Sequence, residues 1–192
     1  MEVPPLLGDE QGRYRIHIIG NVGSTLGLFL AQALNIPYVP LDTLYWLPGW
    51  ERTSDAEFCL RVRGALDRNS RGWVADGQYP ELESVMQDAT DIIWLDPPLF
   101  LYLPRLLRRT VARLFRITPP CSPGCEESLR EMLSTKGIIW WCLSHHRPTK
   151  KKQQELIRHL GVDVGGTMRR IGGWGSESKR YKERVEEMLR MR

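Results

Sequence analysis

A chain of 192 residues has room for one compact domain and excludes two large ones, at roughly 150 residues per domain. Its 42% hydrophobic and 26% charged residues match ordinary globular composition, which excludes a disordered or fibrous chain. The net charge of +4, from 27 Lys and Arg against 23 Asp and Glu, is informative mainly because the excess is not spread evenly.

The first dozen residues, MEVPPLLGDEQG, lack a basic start and a long apolar stretch, so no export signal is expected and a cytoplasmic location is. Residues 1–13 are expected to form a flexible leader and 14–192 a single domain. Apolar periodicity then alternates short runs with longer amphipathic stretches, the pattern of a parallel sheet covered by helices. Residues 14–19 (YRIHII) read as a strand, 25–34 as a helix ended by Asn35 and Pro37, 38–41 as a strand and 54–69 as a helix. A strand at 73–75, a helix at 81–87 and a strand at 91–95 (DIIWL) follow. The segment 99–115 reads as a helix that Pro104 either kinks or starts. A turn-rich piece, 118–124, leads to a helical stretch at 126–146 with Gly137 a possible break. A weak strand at 161–164 and a charged helix at 178–191 end the chain. The longest apolar run, 138–143, is far short of the ~18 to 20 residues that cross a bilayer, so no membrane partner is expected. Cys59, Cys121, Cys125 and Cys142 read as free thiols, because Cys121 and Cys125 have three residues between them where zinc knuckles have about two.

The first four strands stop at Gly20, Asp42, Asp76 and Asp96. Open parallel sheets bind ligands at the carboxyl ends of their strands, so these residues would share one rim and suit a Mg2+ and phosphate site. Each also has a purely structural use: Asp42 as a helix cap, Asp76 before Gly77 as a turn, and Asp96 before Pro97 as a strand stop. Gly20, Asn21, Val22, Gly23, Ser24 and Thr25 lie between a strand and a helix, where backbone N–H groups and the positive helix end can hold phosphate. A complete phosphate loop reads G-x-x-x-x-G-K-[ST], whereas the first lysine of this chain is Lys136.

Taken together, these residues resemble the adenylate-kinase-like P-loop proteins known as topology modulation proteins, small nucleotide-dependent kinases. The resemblance runs from about residue 15 to 189 and is carried by RIHIIGN, NIPYVPLDTLYWLPGW, GWVADGQY, IIWLDPP, LLRRTVARL and the SLREML to WWCLSHHR region. It implies a three-layer α/β P-loop NTPase fold, with a parallel sheet flanked by helices and a small helical lid at about 105–150. It implies ATP as donor, Mg2+ held by Ser24, Thr25 and Asp96, and a small acceptor near Asp42, Trp46, Asp76, Gly77 and Tyr79. Family members carry a pattern like G-N-x-G-x-G-K-S-T-L, whereas here the turn reads G-N-V-G-S-T-L, three residues shorter and without the lysine. Phosphoryl transfer is therefore expected to be severely reduced or absent.

Five arginines and no acid lie between Pro97 and Cys125. Arg105, Arg109, Arg113 and Arg116 recur at helical spacing, beside an apolar stripe of Leu103, Leu107, Val111 and Leu114. The resemblance makes Arg105, Arg109 and Arg113 the outgoing lid arginines and Arg147 a returning one, clasping the transferred phosphoryl group, with 118–124 part of a mobile cover. A basic solvated helix is the plainer reading. Trp46 and Trp50 suit either base stacking or core packing, Trp140 and Trp141 suit packing, and no chemistry is assigned to His145 or His146. Two rival functions remain open: a non-catalytic binder of anions or partners, and a nucleic-acid binder, the latter unaccompanied by any recognition motif. The phosphate acceptor and oligomeric state are not fixed by these motifs.

Overall fold

The computed structural model describes residues 3–20, 24–128, 134 and 137–191, with Ser24, Ile138 and Trp141 described by backbone alone. Five strands form one parallel sheet: β1 (Tyr14–Gly20), β2 (Tyr38–Pro40), β5 (Gly72–Asp76), β6 (Asp91–Leu95) and β7 (Met168–Ile171), in the order β2-β5-β1-β6-β7. β3 (Trp46–Leu47) and β4 (Glu51–Arg52) form a separate antiparallel hairpin. The apolar runs of β1, β5 and β6 are buried on both faces, as parallel strands between helices must be.

On one face Ile16, Ile18, Val74 and Ile93 meet Leu26 and Leu30 of α1 (Ser24–Leu34) and Tyr181 and Val185 of α6 (Ser176–Arg190). On the other, Trp73 and Ala75 meet Phe58 and Val62 of α3 (Asp55–Leu66). On that side Ile19 and Trp94 meet Leu156 and Ile157 of α5 (Ile138–Leu160). α2 (Asp42–Tyr45) follows β2, and α4 (Leu99–Leu114) packs on α5. Among the described residues no helix is long and apolar enough to cross a membrane.

Several expectations change. Residues 81–87 are two 3-10 turns, Pro80–Leu82 and Met86–Asp88, whose apolar side chains Leu82, Val85 and Met86 fill the core without a helix. Residues 162–164 are a 3-10 turn, and the last strand is β7 instead. α4 runs through Pro104, whose ring sits early in the helix. Of the helix expected at 126–146, residues 126–128 are not helical and only the part from Ile138 is found, as α5, which starts after Gly137 and continues past Pro148, where Leu156 and Ile157 anchor its second half. Of the 126–146 stretch, residues 129–133, 135 and 136 lie outside the described residues.

The expected flexible leader is also corrected: from Val3 onward it is bound to the domain. Leu6 is 1% exposed, the Leu7 and Gly8 N–H groups donate to the Asp91 carboxylate at 2.8 and 3.1 Å, and the Tyr181 hydroxyl donates to Pro5 O at 2.8 Å.

Candidate phosphate rim at the strand ends

The strand order sets the four strand-end residues side by side, Asp42 and Asp76 on one side of Gly20 and Asp96 on the other. Gly20 ends β1 with φ 117, and a Cβ there would lie 2.3 Å from Leu95 O, so glycine is required for β1 and β6 to approach each other at the rim. Ser24 begins α1 and Thr25 is exposed in its first turn, whereas Asn21, Val22 and Gly23 lie outside the described residues.

Asp42 and Asp76 lie near enough at the rim for the Asp42 charge to act on Asp76. The Tyr79 hydroxyl donates to Asp42 Oδ1 at 2.5 Å, and the Tyr38 hydroxyl donates to Asp76 Oδ2 at 2.6 Å. Burial pushes Asp76 up to about 6; the Asp42 charge adds to this, while the Tyr38 hydrogen bond and the Arg109 guanidinium oppose it. Burial and then the Asp42 carboxylate push the Tyr79 phenol well above its ordinary value, so it stays protonated and donating. Gly77 follows with φ 137; its N–H donates to Ile18 O at 3.1 Å, and a Cβ would meet that of Leu41 at 3.1 Å. Its carbonyl accepts from His17 Nε2 at 2.8 Å, which fixes the proton on that nitrogen. Burial holds His17 below its ordinary value.

The basic helix supplies the cleft unequally. At 100° per residue, positions four apart drift by about 40°, so a stripe of arginines winds around α4. Arg105 is exposed, the charge of Arg109 reaches Asp76, and Arg113 is only 17% exposed, 3.9 Å from Glu127. Arg116 leaves the stripe altogether: it follows the helix end with φ 56 and pairs with Glu126 at 3.0 Å. Arg147 lies exposed on α5, beside His146.

Within the segment 118–124, expected as part of a mobile cover, Ser122 and Gly124 are hydrogen-bonded to the hairpin next to Asp42, as are Cys125 and Glu126 just beyond it. Ser122 Oγ donates to Trp46 O at 2.9 Å, Cys125 Sγ to Leu47 O at 3.1 Å and Trp50 Nε1 to Glu126 O at 2.9 Å. Gly49 N–H donates to Gly124 O at 2.9 Å. Cys121 Sγ lies 3.7 Å from Asp42 Oδ2; burial first, then the Asp42 charge, push its thiol up to about 11 against Arg113 and Arg109. It is therefore a protonated thiol at neutral pH and a poor nucleophile. Trp46 is half-buried and packs edge-on against Tyr45 and Trp50, at 4.9 and 5.5 Å between ring centres, so much of its ring is already committed to packing.

Asp96 stands apart from that cleft. Its Oδ2 accepts from Arg170 Nε at 2.9 Å and Nη2 at 2.7 Å, and Lys150 Nζ is 3.1 Å away. Two cations on one carboxylate leave no anionic ligand to offer, and no cluster of three His, Cys, Asp or Glu suited to a metal exists among the described residues. Both cations oppose a divalent ion at Asp96 in this arrangement. Tyr38, Cys121 and Arg170 were not given site roles by the sequence, since each acts through a partner distant in the chain; only the strand expected at 38–41 hinted at Tyr38.

Comparison with known protein families and with curated proteins gives no match. Among solved structures, the chain is similar to shikimate kinase from Acinetobacter baumannii in complex with shikimate, with 18% identity, 94% of this chain and 95% of that chain covered, and a TM-score of 0.50. It is also similar to shikimate kinase from Bacteroides thetaiotaomicron, with 14% identity, 92% and 98% covered, and a TM-score of 0.47. At this identity the likeness to the Acinetobacter structure shows the fold alone, an α/β fold with a five-stranded parallel sheet flanked by helices.

Proposed function

We propose that this chain is a kinase-fold protein that holds a phosphorylated ligand across the strand-end rim and transfers phosphoryl groups poorly or not at all. The observation that carries the reading is the convergence of Asp42, Asp76 and the Arg109 charge on one cleft beside the Gly20 turn. Paired carboxylates with a nearby guanidinium suit a small hydroxylated acceptor and the phosphoryl group arriving at it. Asp76, raised to about 6, suits the role of proton acceptor, and Tyr79 fixes Asp42. Arg109 and Arg113 would meet transferred oxygens, with Arg105 and Arg147 reaching them only by moving. ATP bound at residues 20–25 is the donor in this reading, and the topology-modulation-type motifs quoted above support it.

The weakness lies in the turn: three residues join Gly20 to Ser24, and none is lysine. Loss of one preorganised cation at a developing charge costs about 3 to 4 kcal/mol of transition-state stabilisation, or ~10²- to 10³-fold in rate. Insertion of Gly-Lys-Ser after Ser24, which restores G-N-V-G-S-G-K-S-T-L, is expected to raise ATP consumption by at least about a hundredfold in a coupled assay. Equal consumption by both chains removes the reading. The pinning of Asp96 by Lys150 and Arg170 favours a second reading, a purely non-catalytic phosphate binder. In that case ATP binds to both chains and neither consumes it.

A further inference from the structure

The proposed cleft uses only one side of the rim. On the other side, Gly20, Asp96, Tyr102, His146 and Lys150 line one small pocket, closed from above by α5. Three charges meet there, the Asp96 carboxylate at 4% side-chain exposure, the Arg170 guanidinium and the Lys150 ammonium, so the cluster carries one surplus positive charge. Burial, then the Lys150 charge, hold His146 below its ordinary value, so it adds no charge at neutral pH; its Nδ1 lies 2.9 Å from the Tyr102 hydroxyl. Lys150 is 36% exposed on its side chain and has three N–H donors, of which Asp96 needs one. Gly20 presents bare backbone on the opposite wall.

We propose that Lys150, backed by Arg170, is the cation that faces phosphate at this rim, entering from α5 rather than from the turn, and that a polyphosphate binds there without a divalent metal. The inference rests on the reading that phosphate sits at the rim, and it adds the residue and the metal independence. Asp96 holds the ammonium in place before any ligand arrives, so little side-chain freedom remains to be lost on binding. Arg170 cancels the repulsion that Asp96 alone would exert on an anion. The same two cations that exclude a metal from Asp96 thus supply the charge a metal would otherwise bring.

Calorimetric titration of the full chain with inorganic tripolyphosphate, in EDTA and again with magnesium, tests this. The wild type is expected to bind in EDTA, Lys150→Gln to bind at least about tenfold more weakly, and Lys150→Arg to keep most of the affinity. Lys151→Gln, one residue further on the exposed side of α5, is expected to match the wild type. If Lys150→Gln does not fold, Arg170→Gln is read in its place with the same expected loss. Undiminished binding by the folded variant, or binding that appears only with magnesium, overturns the proposal and leaves a phosphate-binding rim standing. An absence of binding under both conditions overturns the proposal and the rim reading together.

Discussion

Asp76 carries a charge at neutral pH that its surroundings oppose, because burial and the Asp42 carboxylate outweigh Tyr38 and Arg109. Its folded value of about 6 lies above the ordinary 3.8, so its contribution to stability is complete below about pH 4 and is lost as pH rises through 6. Asp76→Asn keeps an acceptor for the Tyr38 hydroxyl and has no charge to lose. It is expected to exceed the wild type in stability at pH 8 by on the order of 2 kcal/mol, and to match it near pH 4, in urea unfolding at each pH. The difference between the two chains is the quantity to follow, since His17, lowered by burial, imposes an opposite trend on both as pH falls below 6.5. A gap that is the same at both pH values would falsify the assignment. Cys121 offers an independent probe of the same cleft: Asp42→Asn removes a neighbouring negative charge, and is expected to speed alkylation of Cys121 several-fold at pH 8. An unchanged rate would mean that burial alone governs the thiol.

The segment after α4 shows how a connection can be specified by hydrogen bonds rather than by periodicity. Ser122 is 1% exposed and donates to the carbonyl of half-buried Trp46, so Ser122→Ala removes that hydrogen bond. A loss of about 1 to 2 kcal/mol is expected to fall on this segment alone, seen as several-fold faster proteolysis within 117–128 at nearly constant melting temperature. Nothing in TPPCSPGCEE announces such docking, which depends on two carbonyls and the Trp50 indole N–H of the hairpin more than 70 residues away. By contrast β1, β5 and β6 were legible: β5 and β6 read as nearly continuous apolar runs, β1 alternates buried Tyr14, Ile16 and Ile18 with half-buried Arg15 and His17, and the residues that stop them mark the rim. β7 was not: Met168–Ile171 puts two arginines in an edge strand between glycines, and Arg169 and Arg170 pair there with Asp91 at the start of β6 and Asp96 just past its end. The expected helix ended at His146, whereas packing of Leu156 and Ile157 against the sheet carries α5 past Pro148 to Leu160.

The three layers are closed at the sheet's basal end by the chain's first residues. Asp91, fully buried at the start of β6, accepts from two N–H groups of that segment and from Thr90, with Arg169 at 4.0 Å. Val3, Pro4 and Pro5 carbonyls accept from Arg184, Arg169 and Tyr181, so the segment ties α6 and β7 to the central strands. Leu6 inserts into the same core as Ile16, Ile18 and Val185. Leu6→Ala is therefore expected to behave as a core truncation, lowering unfolding free energy by about 2 to 4 kcal/mol with an unchanged urea dependence. Leu28→Ala, on the outer side of α1 at 47% exposure, is the matched control and is expected to cost less than about 1 kcal/mol. Equal, small losses from both variants would mean that the leading segment is not part of the cooperative unit. A large loss from Leu6 alone would extend the domain to Val3 and tie the Asp96-bearing strand β6, through Asp91 at its other end, to the stability of the whole sheet.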